Sequence, residues 1–315
     1  MDWRPTATRE ALAARALLLA RIRAHFENTG ALEVDTPLLG FAPATDPAIA
    51  SLAVDGPEGR RWLQTSPEAA MKRLLCAGYG DIYQICKAFR AEERSRLHRG
   101  EFTLVEWYRT GLDYHGLMDE VAVVVGLALP GRELPRLTLS QLAARLRTPD
   151  PHLGSTEDLA AYASGEGLQL DGPAREDRAL LLDWLLEHLV TRGIPPGSAA
   201  FVHDFPLAQS AYARRRDDAP GIAERFELVV DGVELANGWS EIRDSATQSE
   251  RHSREAEERL NRGLPPMATD PRLLAGLATG LPACAGVALG FDRLAMLMLG
   301  ERELGAAVAF GNDLV

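Results

Sequence analysis

One short segment constrains the possible fold more than any other part of this 315-residue sequence. Residues 225–239, RFELVVDGVELANGW, hold two largely apolar runs separated by Asp231 and Gly232. An Asp-Gly pair between such runs favours a two-residue hairpin turn, because both central positions of that turn require a positive φ. A lone hairpin is hardly stable in water and needs further strands or a helix against it. The segment therefore predicts an antiparallel sheet.

The spacing of apolar residues predicts a helix and a strand near the N-terminus. Residues 6–29 have apolar residues at helical spacing, and Gly30 follows as a suitable stop. The next segment, ALEVDTP, predicts a short strand that ends at Pro37, and residues 40–60, rich in Pro, Gly, Asp and Ala, predict a loop. The apolar face of the first helix is predicted to hold Leu12, Ala16, Leu19, Ile22 and Phe26.

Further helices complete the expected fold. The segment TSPEAAMKRLL predicts a helix with Ser66 as N-cap and Pro67 at the first helical position. Residues 112–129 and 174–192 have helical patterns, and residues 245–263 predict a charged surface helix. The order of helix, strands, helices, strands and helix indicates an α+β fold with a largely antiparallel sheet flanked by helices.

Composition argues against several classes of protein. The formal net charge of −11 argues against nonspecific wrapping of a nucleic acid, which needs a basic surface. The sequence has no run of about 18 apolar residues and no basic-then-apolar leader pattern. The three cysteines, Cys76, Cys86 and Cys284, have no CxxC spacing and are typical of a reducing compartment. We expect a cytoplasmic protein without a membrane span, with one domain over residues 1–315.

Familiar motifs for nucleotide, metal and acyl chemistry do not occur. The sequence lacks GxxxxGK[ST], HExxH, GxSxG and GxGxxG. If the protein uses ATP, it must therefore bind the nucleotide with another geometry.

The stretch FRAEERSRLHRGEFTLVEWYR, residues 89–109, gathers cations at a bend between two predicted strands. An arginine fork on a sheet can hold a phosphate through two hydrogen bonds, and Glu106 with Tyr108 can hold an ammonium group. The alternative is a cross-strand ion pair at a solvent edge. Side chains alternate between the two faces of a strand. In a strand from Ile82 to Glu92, one face is predicted to hold Gln84, Cys86, Ala88, Arg90 and Glu92. In the returning strand, one face is predicted to hold Phe102, Leu104, Glu106 and Tyr108.

The hairpin carries two carboxylates that are predicted to share a face. A two-residue turn puts Glu227 opposite Ala236, so Glu227 and Glu234 lie diagonally and repel each other unless a cation lies between them. Mg²⁺ is the economical candidate, because it prefers carboxylates together with substrate phosphates. The alternative is that both carboxylates are hydrated. Strict alternation puts Asn237 and Glu241 on the opposite face, so a common site requires a bulge, expected at Gly238.

A third segment, GVALGFDRL, places glycines at the end of a predicted strand and Arg293 at the start of the following helix. Glycine lets backbone approach a ligand closely, and Arg293 adds a cation beside that approach. Alone, this pattern is weak, because a glycine pair near a helix is common.

Taken together, these segments resemble motifs 1, 2 and 3 of class II aminoacyl-tRNA synthetases. TSPE, FRAEE, EFTLVEWY, RFE, ELANG and GVALGFDRL are similar to the lysyl-tRNA synthetase catalytic domain, from about residue 10 to about residue 312. The sequence begins at motif 1, without the nucleic-acid-binding OB-fold of those synthetases. In this and in MKRLL, LVEWYR, ELANG and CAGVALG it resembles the elongation factor P–(R)-β-lysine ligases. That family joins β-lysine, activated with ATP, to a lysine side chain of elongation factor P.

The resemblance implies roles for individual residues. The catalytic pair is Arg90, on the α-phosphate, and Arg293, near the γ-phosphate. The implied nucleotide-binding residues, with Phe102 stacking on adenine, are Arg90, Glu92, Arg99, Phe102, Glu234, Leu235, Gly290 and Arg293. The implied amino-acid-binding residues are Ser66, Pro67, Glu68, Glu106, Tyr108, Asn237, Glu241 and Ala288. The implied ligands of Mg²⁺ are Glu227 and Glu234.

Three positions differ from related sequences. Arg99 stands where the family often has Asn, and Trp239-Ser240 replaces Phe-His after ELANG. Ala288 stands where tRNA-charging relatives usually have Gly, and its methyl group disfavours an α-amino group relative to a β-amino group. One methyl group discriminates by only about 1–3 kcal/mol.

Two other functions stay open at this point. The first is a synthetase-like enzyme that charges tRNA, and the second is a non-catalytic paralogue that only binds an amino acid. The acidic net charge fits a protein partner better than a tRNA. The family forms homodimers through motif 1, so the resemblance also implies a homodimer.

Overall fold

The computed structural model describes residues 3–57, 59–91, 94–210, 212–264, 267 and 269–311. The chain forms two compact units, one from Met1–Gly131 with Glu241–Val315 and the other from Arg132–Ser240. Within the described ranges, no helix combines the length and the apolarity that a membrane crossing requires.

The strands and helices occur in runs along the described parts of the chain. The strands are β1 (Leu32–Glu33), β2 (Leu39–Gly40), β3 (Ala53–Gly56), β4 (Gly59–Leu63), β5 (Ile82–Phe89), β6 (Glu101–Thr110), β7 (Arg136–Thr138), β8 (Ala199–Pro206), β9 (Ile222–Val230), β10 (Val233–Ser240) and β11 (Cys284–Gly290). The α-helices are α1 (Arg9–Asn28), α2 (Glu68–Cys76), α3 (Tyr114–Gly126), α4 (Leu139–Leu146), α5 (Thr156–Gly165), α6 (Gly172–Glu176), α7 (Arg178–Gly193), α8 (Ser245–Asn261), α9 (Pro271–Thr279) and α10 (Phe291–Met298).

The first unit contains a sheet with the strand order β1-β5-β6-β11. Strand β1 is parallel to β5, and the other neighbours are antiparallel. A separate sheet has the order β2-β4-β3 and is antiparallel. The prediction of a loop over residues 40–60 is therefore wrong, because β3 and the start of β4 form a hairpin there. The two strands of this hairpin are largely polar and exposed, so they lack the alternation of apolar and polar residues that predicts a strand.

Helix α1 begins after Thr8, whose Oγ1 accepts a hydrogen bond from the backbone N–H of Ala11. The helix buries Leu18, Ile22 and Phe26, and Gly30 follows with a φ of +76°. The predicted helix is confirmed, but Ala16, which was assigned to the buried face, is exposed.

In the second unit the strand order is β10-β9-β8-β7, with β7 parallel to β8 and the other neighbours antiparallel. The predicted hairpin is confirmed, since Asp231 and Gly232 have φ values of 53° and 75°. Helices α4, α5 and α7 cover an apolar core with this sheet. The α+β class and the largely antiparallel pairing are thus confirmed in each unit.

Three predicted helices differ in detail. The pattern over 174–192 covers two helices, because Asp177 ends α6 and caps α7. Helix α2 begins at Glu68 with Pro67 at the N-cap position, and the Ser66 hydroxyl accepts a hydrogen bond from the Glu68 backbone N–H at 3.0 Å. The charged helix α8 has a buried side with Gln248, His252 and Arg259, so it is not wholly a surface element.

Candidate active site

The register of three strands aligns the predicted residues of the first unit. Glu106 on β6 lies opposite Gln84 on β5 and Ala288 on β11. Tyr108 lies opposite Gly286, two residue pairs further along the sheet. The structure therefore places Glu106 and Tyr108 on one face, as the alternation predicted, and Ala288 lies on the same face.

A buried lysine joins two of the predicted substrate residues. The Nζ atom of Lys72 lies 2.6 Å from Oε1 of Glu68 and 2.8 Å from Oε2 of Glu241. The side chains of Lys72 and Glu241 are 1% and 0% exposed. Burial alone lowers the pKa of an ammonium, but the charges of Glu241 and Glu68 outweigh it and raise the pKa of Lys72. Lys72 therefore carries a full positive charge.

Glu106, on β6, is also buried, but its direct hydrogen-bond partners are hydroxyl groups and not an ammonium group. Its Oε1 accepts a hydrogen bond from the Tyr108 hydroxyl at 2.9 Å, and Ser66 also bonds to it. Burial, followed by the charge of Glu68, raises the pKa of Glu106 to about 8. Burial and the neighbouring Glu106 also raise the pKa of Tyr108. Glu106 is thus largely protonated at neutral pH until a cation approaches it.

A glycine makes room for the tyrosine ring. A Cβ atom at Gly286 would lie 2.3 Å from Cε1 of Tyr108 and 3.0 Å from Oε1 of Glu241. Any side chain at this position would displace the ring from its place over β11. Gly286 therefore positions Tyr108 toward Glu106.

These groups form an acidic pocket, defined here as Ser66, Glu68, Lys72, Glu106, Tyr108 and Glu241. Three carboxylates, two of them buried, meet one lysine ammonium in it. Buried carboxylates are costly unless a cation or hydrogen bonds compensate them. The pocket is consequently suited to a ligand that carries ammonium groups.

The predicted phosphate-binding arginines lie near the loop between β5 and β6. Arg90 directly follows β5, and its guanidinium lies 5.1 Å from the ring centroid of Phe102. The Nε of Arg293 donates a hydrogen bond to the carbonyl of Leu97 at 3.2 Å, which connects α10 to this loop. Arg99 instead donates to the carbonyl of Phe310. Glu92, the remaining predicted nucleotide contact here, lies outside the described residues.

An aspartate in the GFDR segment fixes the end of β6. Oδ2 of Asp292 accepts a hydrogen bond from the Thr103 backbone N–H at 2.9 Å, and Oδ1 lies 2.5 Å from Nη2 of Arg15. Arg15 also donates to the Thr103 hydroxyl. Asp292 is 3% exposed, so this buried contact ties α1, β6 and α10 together. Gly290 precedes α10 with an extended backbone.

A bulge in the second unit unites the hairpin residues. The register shifts between Glu234 and Ala236, so Leu235 is the extra residue and Asn237 pairs with Glu227. Glu227, Glu234 and Asn237 consequently share one face. The bulge was expected at Gly238 and the partner of Glu227 was expected to be Ala236, and both positions are wrong. The buried Leu235 absorbs the irregularity three residues earlier.

An arginine that the sequence analysis did not select holds this face together. The Nε of Arg225 donates to Oδ1 of Asn237 at 3.2 Å, and its Nη2 donates to Oε1 of Glu227. An arginine can only donate, so the Asn237 amide directs its NH₂ group away from Arg225. Burial raises the pKa of Glu227 to about 7, with Arg225 opposing and Glu234 adding to the rise.

The chemistry of Glu227 and Glu234 fits a magnesium ion that also binds phosphate oxygens. The paired charges favour an added cation, and two carboxylates are enough for Mg²⁺ when a substrate supplies the remaining oxygens. Among the described residues, no cluster of three or more His, Cys, Asp or Glu side chains forms a metal cage. Glu227 and Glu234 are suited to an ion whose remaining ligands are supplied by a substrate.

Three residues of the candidate site were not predicted from the sequence: Lys72, Gly286 and Arg225. Lys72 follows Glu68 by four residues, a spacing that usually indicates an exposed helix pair. Gly286 and Arg225 lie within the segments CAGVALG and RFE that carry the family resemblance, which was the available signal for both.

Comparisons of the sequence with known proteins identify its family. The sequence matches the family described as tRNA synthetases class II (D, K and N) over residues 1–129 and 186–314. A relative from Vibrio vulnificus (strain YJ016), named elongation factor P–(R)-beta-lysine ligase, is 44% identical over 98% of this chain and 98% of its own. Proteins of the same name from Vibrio parahaemolyticus and Vibrio cholerae are 42% and 41% identical, over 98% of this chain and 98% and 97% of their own.

Proposed function

The chain belongs to the class II tRNA synthetases of the D, K and N group, and on that premise we propose that it is an ATP-dependent ligase for (R)-β-lysine and elongation factor P. It activates the carboxylate of β-lysine as an acyl adenylate. It then transfers the β-lysyl group to the ε-amino group of a lysine on elongation factor P. Such a reaction belongs to the cytoplasm, where the translation factor acts.

The acidic pocket is the observation that carries this proposal. β-Lysine has two ammonium groups, and the pocket offers three carboxylates against the single charge of Lys72. Glu68, with 24% of its side chain exposed, receives the β-ammonium group. The buried groups Glu106, Tyr108 and Glu241 receive the ε-ammonium group. The curated relatives support the choice of substrate, since they carry the name of this ligase along almost their whole length.

Activation is an in-line displacement at phosphorus. A carboxylate oxygen of β-lysine forms a bond to the α-phosphorus of ATP, the bond to the bridging oxygen breaks, and pyrophosphate leaves. Arg90 offsets the charge that grows on the α-phosphate, and Arg293 holds the γ-phosphate. Positioned cations of this kind are usually the largest catalytic contribution. Phe102 offers a ring for adenine.

Mg²⁺ is the metal ion that we assign to Glu227 and Glu234. When bound, it supplies positive charge to phosphate oxygens. The chain's own contribution is Arg225, which keeps Glu227 and Asn237 oriented. The Asn237 NH₂ group then donates a hydrogen bond to an acceptor on the substrate.

Transfer requires a neutral amine. The ε-nitrogen of the acceptor lysine forms a bond to the acyl carbon, AMP leaves, and the amine loses one proton. The unperturbed pKa of lysine is about 10.4, so the acceptor must lose its ammonium proton before it attacks.

Ala288 gives the site a preference between lysine isomers. It lies opposite Glu106 on β11, and its side chain is partly exposed toward the pocket face. Its methyl group disfavours an amino group on the α-carbon more than one on the β-carbon. The expected preference is about 1–3 kcal/mol.

ATP–pyrophosphate exchange driven by β-lysine tests the activation step. We expect exchange by the wild type, and a loss of at least about 100-fold in Arg90→Ala, because that arginine faces the charge that develops in the transition state. The matched control is Arg96→Ala, an exposed arginine of the same loop, which should exchange normally. Near-normal exchange by a folded Arg90→Ala protein would contradict the assigned role. Charging of tRNA, or binding of an amino acid without exchange, would instead favour the two other functions.

A further inference from the structure

Lysine is a rare residue type in this sequence, which makes Lys72 unusual. Only two of the 34 basic residues are lysines, and the other is Lys87. Lys87 lies on β5 with 46% of its side chain exposed and pairs with Glu101 at 3.2 Å. Lys72 is 1% exposed and lies in the acidic pocket. A chain that otherwise uses arginine for nearly every cation thus has an ammonium group at its most buried basic position.

The contacts of Lys72 explain why an ammonium group suits this place. Its Nζ lies between Oε1 of Glu68 and Oε2 of Glu241, at 2.6 Å and 2.8 Å. An ammonium is a compact charge whose three donors can point to two carboxylates in a small volume, whereas a guanidinium is a wide planar fork. The Lys72 side chain is also among the largest fully buried side chains of the described residues, so the protein encloses it on all sides.

Lys72 also determines the charge that a ligand must bring. When an approaching cation has displaced the proton of Glu106, the side chains of Glu68, Glu106 and Glu241 carry three negative charges, and Lys72 offsets one of them. Buried charges without compensation are strongly unfavourable. A ligand with two ammonium groups completes the balance, and a ligand with one ammonium group leaves it incomplete.

We propose that Lys72 is a positioning and specificity-determining residue, whose ammonium group holds Glu68 and Glu241 in place and selects amino acids with two ammonium groups. This inference rests on the proposed amino-acid activation at the acidic pocket. Lys72 acts through the two carboxylates and does not touch the reacting atoms. The amino acids 3-aminohexanoic acid and 6-aminohexanoic acid each lack one ammonium group of β-lysine and are poor substrates for that reason.

The test removes the ammonium group and returns it from solution. Lys72→Ala leaves two carboxylates facing a cavity, so we expect the KM for β-lysine in ATP–pyrophosphate exchange to rise at least about 100-fold, with a smaller change in kcat. Propylammonium chloride should restore at least about tenfold of kcat/KM, because a primary ammonium fits between the carboxylates. Tetramethylammonium chloride should not, because it has no N–H donor.

Lys87→Ala is the matched control, and it should keep its activity and show no response to amines. Lys72→Met is the second variant, because its unbranched side chain fills the site without a charge if the alanine variant does not fold. It should show the same rise in KM, because it too leaves Glu68 and Glu241 without their shared cation. The ratio of kcat/KM between β-lysine and 6-aminohexanoic acid should also change, because two ammonium groups no longer balance the carboxylates. Lys72→Arg should be impaired despite its charge.

Three outcomes separate the inference from the proposed function. A folded Lys72→Met protein with a lower melting temperature but an unchanged KM and unchanged discrimination would show a structural role only and overturn the inference. Exchange by the wild type with another amino acid but not with β-lysine would overturn the proposed substrate, and it would overturn the inference as well if that amino acid has only one ammonium group. Absence of amino-acid-dependent exchange by the wild type would overturn both.

Discussion

Glu106 shows at the residue scale how burial changes the behaviour of a common side chain. Its ordinary pKa is 4.5, and burial with the charge of Glu68 raises the value to about 8 in the folded protein. Between these two pH values the folded protein holds a proton that the unfolded chain has lost. The free energy of unfolding therefore falls as the pH rises from about 4.5 to about 8. A cation that binds beside Glu106 favours its ionised form and expels the proton.

The raised pKa of Glu106 predicts that the protein releases a proton when β-lysine binds. At pH 7, titration of the protein with β-lysine in buffers of different ionisation enthalpy should report the release of up to one proton, and the affinity should rise with pH toward 8. In Glu106→Gln the proton release should disappear. Glu101→Gln, an exposed glutamate on the same strand, is the control and should release protons like the wild type. Binding to the wild type without proton exchange would contradict the assigned role of Glu106.

At the scale of elements, the hairpin shows what the sequence could and could not predict. Asp231-Gly232 fixes the turn, because few residue pairs accept two positive φ values, so the turn was predictable. Glu234 and Asn237 are three residues apart, so regular alternation would put them on opposite faces, and a common site indicated a bulge. The local sequence does not show which residue of the strand is the extra one. The buried Leu235 does so in the structure, since packing in the second unit decides the register. The burial of Lys72 was likewise invisible, because its second partner, Glu241, is distant in the sequence.

The turn gives a stability prediction. Gly232→Ala puts a Cβ on a residue with a φ of +75°, so we expect the free energy of unfolding to fall by about 1–2 kcal/mol. Urea denaturation monitored by circular dichroism measures the change. Gly221→Ala is the matched control, because a Cβ at Gly221 meets no atom within 4 Å and its φ is not positive. Equal stability of the two variants would argue against the strained turn.

At the scale of the whole molecule, motif order carried most of the sequence-based prediction. The fold class followed from the order of the runs of helices and strands, and most candidate site residues of the first unit lie in the motifs that surround β5, β6 and β11. Helix α1 has a feature that was not predicted from the sequence: a second apolar stripe on the side opposite its buried residues. The stripe is formed by Ala13, Ala16, Leu17, Ala20 and Ala24, all exposed.

The stripe is suited to the homodimer that the family resemblance implies, because a solvent-exposed apolar helix face can pack against a partner. Leu17 is 53% exposed, and Leu17→Arg should convert the dimer to a monomer in sedimentation equilibrium. Leu153→Arg is the control, since Leu153 is 86% exposed in the second unit and should leave the dimer intact. A monomeric wild type, or a dimeric Leu17→Arg protein, would contradict this assignment.

Mass spectrometry of elongation factor P tests the central claim most directly. Elongation factor P is incubated with the protein, ATP and either (R)-β-lysine or α-lysine, and its peptides are sequenced. The account predicts one added β-lysyl group on one lysine side chain, less modification with α-lysine, and none without ATP. Unmodified elongation factor P, in a preparation that nevertheless charges tRNA with lysine, would contradict it.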